Sequence, residues 1–268
     1  MICLSRMTHE LRLFFIALQF LTRVPVPRWV GFEPDWLNQS ARYFPAVGLC
    51  VGGVGAAVLW AGSALFPASV AVGLSMLATV LLTGAFHEDG LADTCDALGG
   101  AVSRTRALEI MKDSRIGTYG AVGLVLMLGL KAAALVALTA WPLSMAVPAL
   151  LLAHTASRTG AVLLIRFLPY AGDLAHAKAK PLAQRISATG AWVAVAWPAG
   201  LALGLVLWSP VFAPTVACAL LAAGIGIYVC GRRWHARLGG YTGDTLGATQ
   251  QISELLALLG WLAASRLS

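Results

Sequence analysis

Apolar residues fill long blocks of this chain, and polar residues are confined to the segments between them. A spanning helix needs about 20 mostly apolar residues. Six blocks approach that length, near Phe44–Phe66, Ala68–Phe86, Tyr119–Trp141, Leu143–Ile165, Gly190–Trp208 and Val211–Cys230. A shorter one follows from Gln250 to Ala264. The turns around Pro67, Trp141-Pro142 and Ser209-Pro210 are tight and uncharged, whereas the connections His87–Thr118, Arg166–Thr189 and Gly231–Thr249 are long and charged. The alternation predicts an all-α polytopic membrane protein of about six to seven transmembrane helices, arranged as hairpins that enter from one face. Met7–Leu21 is short and charged at its start, which predicts an interfacial or partial helix. Residues 1–43 are thereby grouped with the spans in a single integral membrane domain, 1–268.

Composition strengthens this picture. Of 268 residues, 59% are hydrophobic and only 12% are charged, with a mean hydropathy of +0.78. That charged fraction is roughly half the value for soluble domains. The net charge of +7 comes from Arg and Lys at the ends of apolar runs. Such placement suits anionic headgroups and membrane orientation, and argues against nucleic acid. The positive-inside rule then puts the charged loops on the cytoplasmic side. Cys3, Cys50, Cys95, Cys218 and Cys230 have no ligand spacing and are expected to be small buried hydrophobes. The first apolar run carries Arg12 and ends at Thr22-Arg23 without a small-residue cleavage site, so no cleavable signal peptide is expected. Gly48, Gly52 and Gly55 form a small-residue stripe suited to close helix packing.

The chemistry is concentrated in three polar blocks. Only 12 residues are acidic, and Glu88, Asp89, Asp93 and Asp96 fall within nine positions. On a helix, Asp89, Asp93 and Asp96 share one face, while Glu88 points about a quarter-turn away. Their repulsion is relieved by a cation between them, and an all-oxygen donor set favours Mg²⁺, which also accepts substrate phosphates. The second block holds Lys112 and Arg115, suited to phosphate oxygens, and Asp113, suited to completing a metal site; Arg104, Arg106 and Glu109 precede them. The third, Leu238–Gly247, places glycines, a Thr and Asp244 before a helix, as an anion- or metal-binding turn would. Alternatively, Asp244 serves as an N-cap. Glu254, Arg158 and Lys131 lie inside apolar runs, where an ionisable group is expected to face the protein interior.

Four segments together carry a family resemblance: Phe20–Pro27 (FLTRVPVP), His87–Asp96 (HEDGLADTCD), Leu108–Thr118 (LEIMKDSRIGT) and Gly239–Ala248 (GGYTGDTLGA). In this order, across residues from about 14 to 260, the chain resembles the cobalamin synthase family, the adenosylcobinamide-GDP ribazoletransferases. The resemblance implies a multi-pass enzyme of the cell inner membrane, active on the cytoplasmic face and dependent on Mg²⁺. It implies transfer of the adenosylcobinamide phosphate group from adenosylcobinamide-GDP to α-ribazole, or α-ribazole 5′-phosphate, with release of GMP. The implied nucleophile is the α-ribazole 5′-hydroxyl. By the same resemblance Asp89, Asp93 and Asp96 match the family's acidic core, and Asp113, Arg115, Arg158, Asp244 and Glu254 fall at matching places. Asp89, Asp93, Asp96 and Asp113 are the expected metal ligands. Asp89, Asp93, Asp96 or Asp244 is the expected proton acceptor. Lys112, Arg115 and Arg158 are expected to hold phosphate. Besides the substrates and the bilayer, a homo-oligomer or an association with pathway enzymes is compatible with the family. The linker Pro169–Ser187 matches no family segment.

Two other classes compete. A CDP-alcohol phosphotransferase requires Arg after Ala92, where Asp93 stands, and an aromatic prenyltransferase requires a second aspartate-rich repeat. A cation transporter calls for carboxylates at the midplane of several helices and for internal repeats.

Overall fold

The computed structural model describes residues 2–172 and 182–267. Among them the regular structure is helical: α1 (Ile2–Leu21), α2 (Pro34–Ser40), α3 (Phe44–Ser63), α4 (Ala68–Thr83), α5 (Phe86–Gly99), α6 (Arg104–Ile110), α7 (Thr118–Leu138), α8 (Leu143–Phe167), α9 (Ala188–Trp208), α10 (Phe212–Leu238) and α11 (Gly243–Ser265). Five stretches are long and apolar enough to cross a membrane: 35–63, α7, α8, α9 and α10. The pair α4 and α5 adds a sixth if it is counted as one broken or re-entrant span. The chain is a polytopic helical membrane protein, as the apolar pattern predicts.

The helices differ sharply in burial. Of the most apolar stretch of α8, 83% is buried, against 22% for α7 and 33% for each of α9 and α10. The outer helices show Val125, Leu126, Leu203, Leu207, Leu221 and Tyr228 on their surfaces, as lipid-facing helices do. Small residues bring α3 onto α8: a Cβ on Gly48 would stand 2.3 Å from the His154 carbonyl oxygen, and one on Gly52 would press the His154 side chain at 3.2 Å. Gly55 faces α4 instead, at Thr79 and Ser75.

Three features depart from the apolar pattern. The block Ala68–Phe86 is not one straight helix, because α4 ends at Thr83 and α5 leaves at 89°. The break uses Gly84 at φ 71° and Ala85 at φ 59°, a left-handed conformation that costs a residue with a Cβ about 1–2 kcal/mol. Arg23 stabilises the corner: its backbone N–H donates to the Leu82 carbonyl at 2.8 Å, and its guanidinium lies where a Gly84 side chain would stand. The block Gln250–Ala264 is part of the much longer α11, whose N-terminal half is polar yet buried through Thr245, Thr249, Gln250, Gln251, Ser253 and Glu254. It falls outside the candidate spans and packs against α5, α7, α8 and α10, at the centre of the bundle. Finally, α1 is a continuous 20-residue helix outside the candidate spans. It is tied to the start of α3 by Glu10, which meets Arg42 at 3.3 Å and accepts from the Tyr43 hydroxyl at 2.8 Å.

Candidate active site

The three acidic positions of α5 do not share one environment. Asp89 and Asp93 open into a cavity of about 420 Å³ that is also lined by Phe20, Phe86, Arg104, Met111, Lys112, Tyr170, Thr242 and Asp244. Asp96, two turns along from Asp89, turns to α7. One of its oxygens accepts from the Gly117 N–H at 2.7 Å and the other from the Gly120 N–H at 2.8 Å. It thereby satisfies two of the donors that a helix start leaves without an intrahelical partner, and it stands outside the cavity. Glu88 points the other way, buried, and accepts from the Gln251 side chain at 3.0 Å.

Asp244 arrives from the far end of the sequence because α5 and α11 touch through glycine. A Cβ on Gly90 would stand 2.8 Å from the Asp244 carbonyl oxygen, and one on Gly247 would stand 3.3 Å from the Gly90 Cα. The N-cap of α11 is Thr242, not Asp244. The Thr242 hydroxyl accepts from the Thr245 N–H at 3.3 Å, and the Thr245 hydroxyl accepts from the Thr242 N–H at 2.8 Å, a reciprocal capping box. The first-turn Asp244 lines the cavity instead, at the positive end of the helix. The surrounding glycines do not form an anion-binding turn. Gly239 ends α10 at φ 75°, and Gly240 admits Pro169, whose carbonyl oxygen would lie 2.0 Å from an added Cβ. Pro169–Ala171 then pairs with Tyr241, which accepts from the Ala171 N–H at 2.8 Å. That pairing buries the Tyr241 ring, and burial raises its phenol pKa.

The expected phosphate-binding cations separate. Lys112 lines the cavity. Arg115 and Asp113 lie outside it and pair with each other, Nη2 to Oδ2, at 2.6 Å. The guanidinium holds the Asp113 carboxyl down at about 2. The two stand two residues apart in an exposed loop, where the Arg115 backbone N–H and guanidinium both donate to the Asp113 carboxylate. Arg158 is also outside, buried in α8, where its Nη1 donates to the His154 carbonyl at 3.1 Å and approaches Glu254 at 3.8 Å. Glu254 receives Lys131 of α7 directly and His154 at 2.9 Å. Glu254 faces the interior, as expected of an ionisable group in an apolar run, and its cation is Lys131, with Arg158 behind it. A polar chain leads from this cluster towards α5: Gln250 donates to Ser157 at 3.1 Å, and Gln251 bridges Gln250 and Glu88 at 3.0 Å each.

Some lining residues were not singled out by sequence reasoning. Arg104 donates to the Leu238 carbonyl at 2.6 Å and to that of Ala171 at 3.4 Å, fixing α6 beside the third block. Phe20 and Phe86 meet edge-on at 5.4 Å. Phe20 belongs to the first motif, which was a signal; Tyr170 enters only through the long-range pairing with Tyr241, which leaves no local trace. The middle of the linker Pro169–Ser187, residues 173–181, lies outside the described residues.

As a donor set, the cavity fits Mg²⁺ in one specific way. Among the described residues no group of three or more His, Cys, Asp or Glu side chains is placed to hold a metal, so the four-aspartate cage expected from the sequence is not formed. Mg²⁺ ordinarily uses one or two carboxylates and takes its remaining ligands from water and substrate phosphates. Asp89, Asp93 and Asp244 around one cavity satisfy that simpler requirement.

The fold and the site define a polytopic helical membrane protein with a pocket lined by carboxylates and a lysine. A sequence profile described as Cobalamin-5-phosphate synthase matches residues 13–262. A protein of Leptothrix cholodnii named adenosylcobinamide-GDP ribazoletransferase is 59% identical over 260 residues, covering 97% of this chain and 98% of that protein. Proteins of the same name from Shewanella amazonensis (46% identity; 96% of each chain) and Albidiferax ferrireducens (42% identity; 95% of this chain, 98% of that protein) are similar along their whole length. No solved structure matches significantly. The chain belongs to the cobalamin-5-phosphate synthase family.

Proposed function

We propose that this protein is an adenosylcobinamide-GDP ribazoletransferase of the inner membrane, with its pocket open to the cytoplasm. One observation carries the reading beyond the family: α11 delivers Asp244 to the same cavity as Asp89 and Asp93 of α5, beside Lys112 and Arg104. The cavity is far too small for a whole corrinoid nucleotide. It suits the diphosphate and the acceptor nucleoside, with the corrin outside.

The reaction is a displacement at the phosphorus on the cobinamide side. A ribose hydroxyl of the acceptor forms the new P–O bond, the bond to the bridging oxygen breaks, and GMP departs with that oxygen. The expected 5′-hydroxyl nucleophile needs correction. A product that carries a 5-phosphate, as the family description has it, has that oxygen already esterified, so the attacking group is a secondary hydroxyl of the ribose. Asp89, Asp93 or Asp244 accepts its proton, the geometry that general-base catalysis requires. Lys112 and Arg104 stand against the phosphate oxygens, where fixed cations favour the extra charge of the transition state. Asp96 acts at one remove, by anchoring the start of α7 on α5. Bound Mg²⁺, held by the cavity carboxylates, would neutralise the diphosphate and strengthen GMP as a leaving group.

The test is direct. Purified protein in lipid, given adenosylcobinamide-GDP and α-ribazole, should release GMP with Mg²⁺ present and lose that activity in excess chelator. Absence of GMP release in a well-folded preparation excludes the reading; undiminished release in chelator excludes the metal.

A further inference from the structure

A second cavity, of about 280 Å³, lies on the opposite side of α5. Its floor is Leu91, Thr94 and Cys95 of α5 with Ile252 of α11, and its walls are Val122 of α7 and Arg233 of α10. The walls belong to helices that show apolar surface outward, at Val125 and Leu126 on one side and Ile225 and Val229 on the other. The groove therefore opens sideways, towards the bilayer.

Polar groups interrupt this mainly apolar slot at Arg233 and Thr94, and Tyr119 borders it. Arg233 has no hydrogen bond or ion pair with a described residue, and sits one turn before Arg237, whose guanidinium donates to the Gly100 carbonyl at 3.1 Å. Thr94 lines the groove and is 3% exposed, and its hydroxyl has no hydrogen-bond partner among the described residues. A buried hydroxyl without a partner is costly, and one that lines a groove is satisfied by whatever fills it. An acyl chain suits the apolar floor, an ester carbonyl accepts from Thr94, and a lipid phosphate meets Arg233.

We propose that this groove is a binding site for one anionic phospholipid, with its headgroup on Arg233 and an acyl chain against the back of α5 and α11. The lipid then supports from behind the two helices whose other faces carry Asp89, Asp93 and Asp244. The proposal depends on the membrane-spanning fold and not on the reaction.

The probe is phosphatidylglycerol against phosphatidylcholine. The protein is reconstituted in nanodiscs of equal parts of the two lipids, extracted in mild detergent and weighed intact by native mass spectrometry. Wild type should retain one lipid, with phosphatidylglycerol favoured about fivefold, the selectivity that one interfacial cation supplies. Arg233→Gln should abolish the preference and Arg233→Lys should keep it. Val122→Trp, placed on an exposed wall, should fill the slot and reduce retention of both lipids. Unchanged selectivity in Arg233→Gln, or full retention in a monodisperse Val122→Trp protein, would overturn the proposal. Arg233 is exposed, so the glutamine variant reads the site even where the tryptophan variant fails to fold.

Discussion

Gly90 of α5 lies directly against the backbone of Asp244, so close that any side chain at position 90 would stand 3.0 Å from the Asp244 Cα. The contact is backbone to backbone, so neither element can yield by a rotamer change. Gly90→Ala should part α5 from α11 by a few tenths of an ångström and displace Asp244 from Asp89 and Asp93. A misplacement of about 1 Å can lower turnover on the order of 100-fold, and this smaller shift should cost a measurable part of that. The expected outcome is a folded protein with unchanged substrate affinity and a reduced kcat, measured by GMP release.

The acidic positions of α5 should separate experimentally. Asp89→Asn and Asp93→Asn should each cut turnover by orders of magnitude, and their double variant should lose little more, as groups acting on one centre do. Asp96→Ala should instead lower stability by about 1.5–3 kcal/mol, the value of charge-assisted hydrogen bonds to backbone N–H groups. The apparent Mg²⁺ requirement of surviving Asp96→Ala protein should match wild type. A raised Mg²⁺ requirement there would return Asp96 to the metal site.

At the start of α11, cap and chemistry also part. Thr245→Val keeps shape but removes the acceptor for the Thr242 N–H, and should cost about 1 kcal/mol in thermal unfolding. Asp244→Asn leaves the capping box whole, and its loss should appear in kcat with little change in Tm. Normal kinetics for Asp244→Asn would remove it from the mechanism.

The buried pair Lys131–Glu254 predicts a strong coupling. Removing Glu254 leaves Lys131, His154 and Arg158 without their buried carboxylate, at about 3–5 kcal/mol, whereas removing Lys131 leaves Glu254 with His154 and Arg158. Glu254→Gln should therefore destabilise strongly and Lys131→Met less, and the double variant should regain part of the loss. The check is a double-mutant cycle on unfolding in detergent. Additive single effects would mean that the contact contributes nothing.

For topology, single cysteines at Ser103, Ala188 and Ala236, in a cysteine-free background, should resist an impermeant thiol reagent in intact cells and react in inverted vesicles. Cysteines at Ala64, Ala140 and Ser209 should behave in the opposite way. Labelling of any of the first three from outside would overturn the cytoplasmic placement of the pocket.

Much of this architecture is legible in the sequence because a bilayer imposes long apolar runs, and because the four motifs stand in family order. What was hidden follows physical rules that hydropathy does not register. The corner at Gly84–Ala85 interrupts a run that stays apolar throughout and contains no proline, so only the left-handed backbone reveals it. Helical spacing correctly aligned Asp89, Asp93 and Asp96, yet a helix face meets different neighbours along its length, and Asp96 had already reached α7. Asp113 and Arg115 matched the family pattern, but a two-residue spacing in a loop let them satisfy each other. The polar half of α11 lowered its hydropathy, and so concealed a helix that is buried along most of its length.

The central position of α11 has a consequence for biogenesis. Lys131 and Arg158 lie on helices that leave the ribosome well before Glu254 does, so each enters the membrane without its carboxylate. The ion pairs of α7 and α8 with Glu254 can close only once α11 is in place. The pocket comes into being in that same step, since Asp244 travels on the helix that completes the bundle.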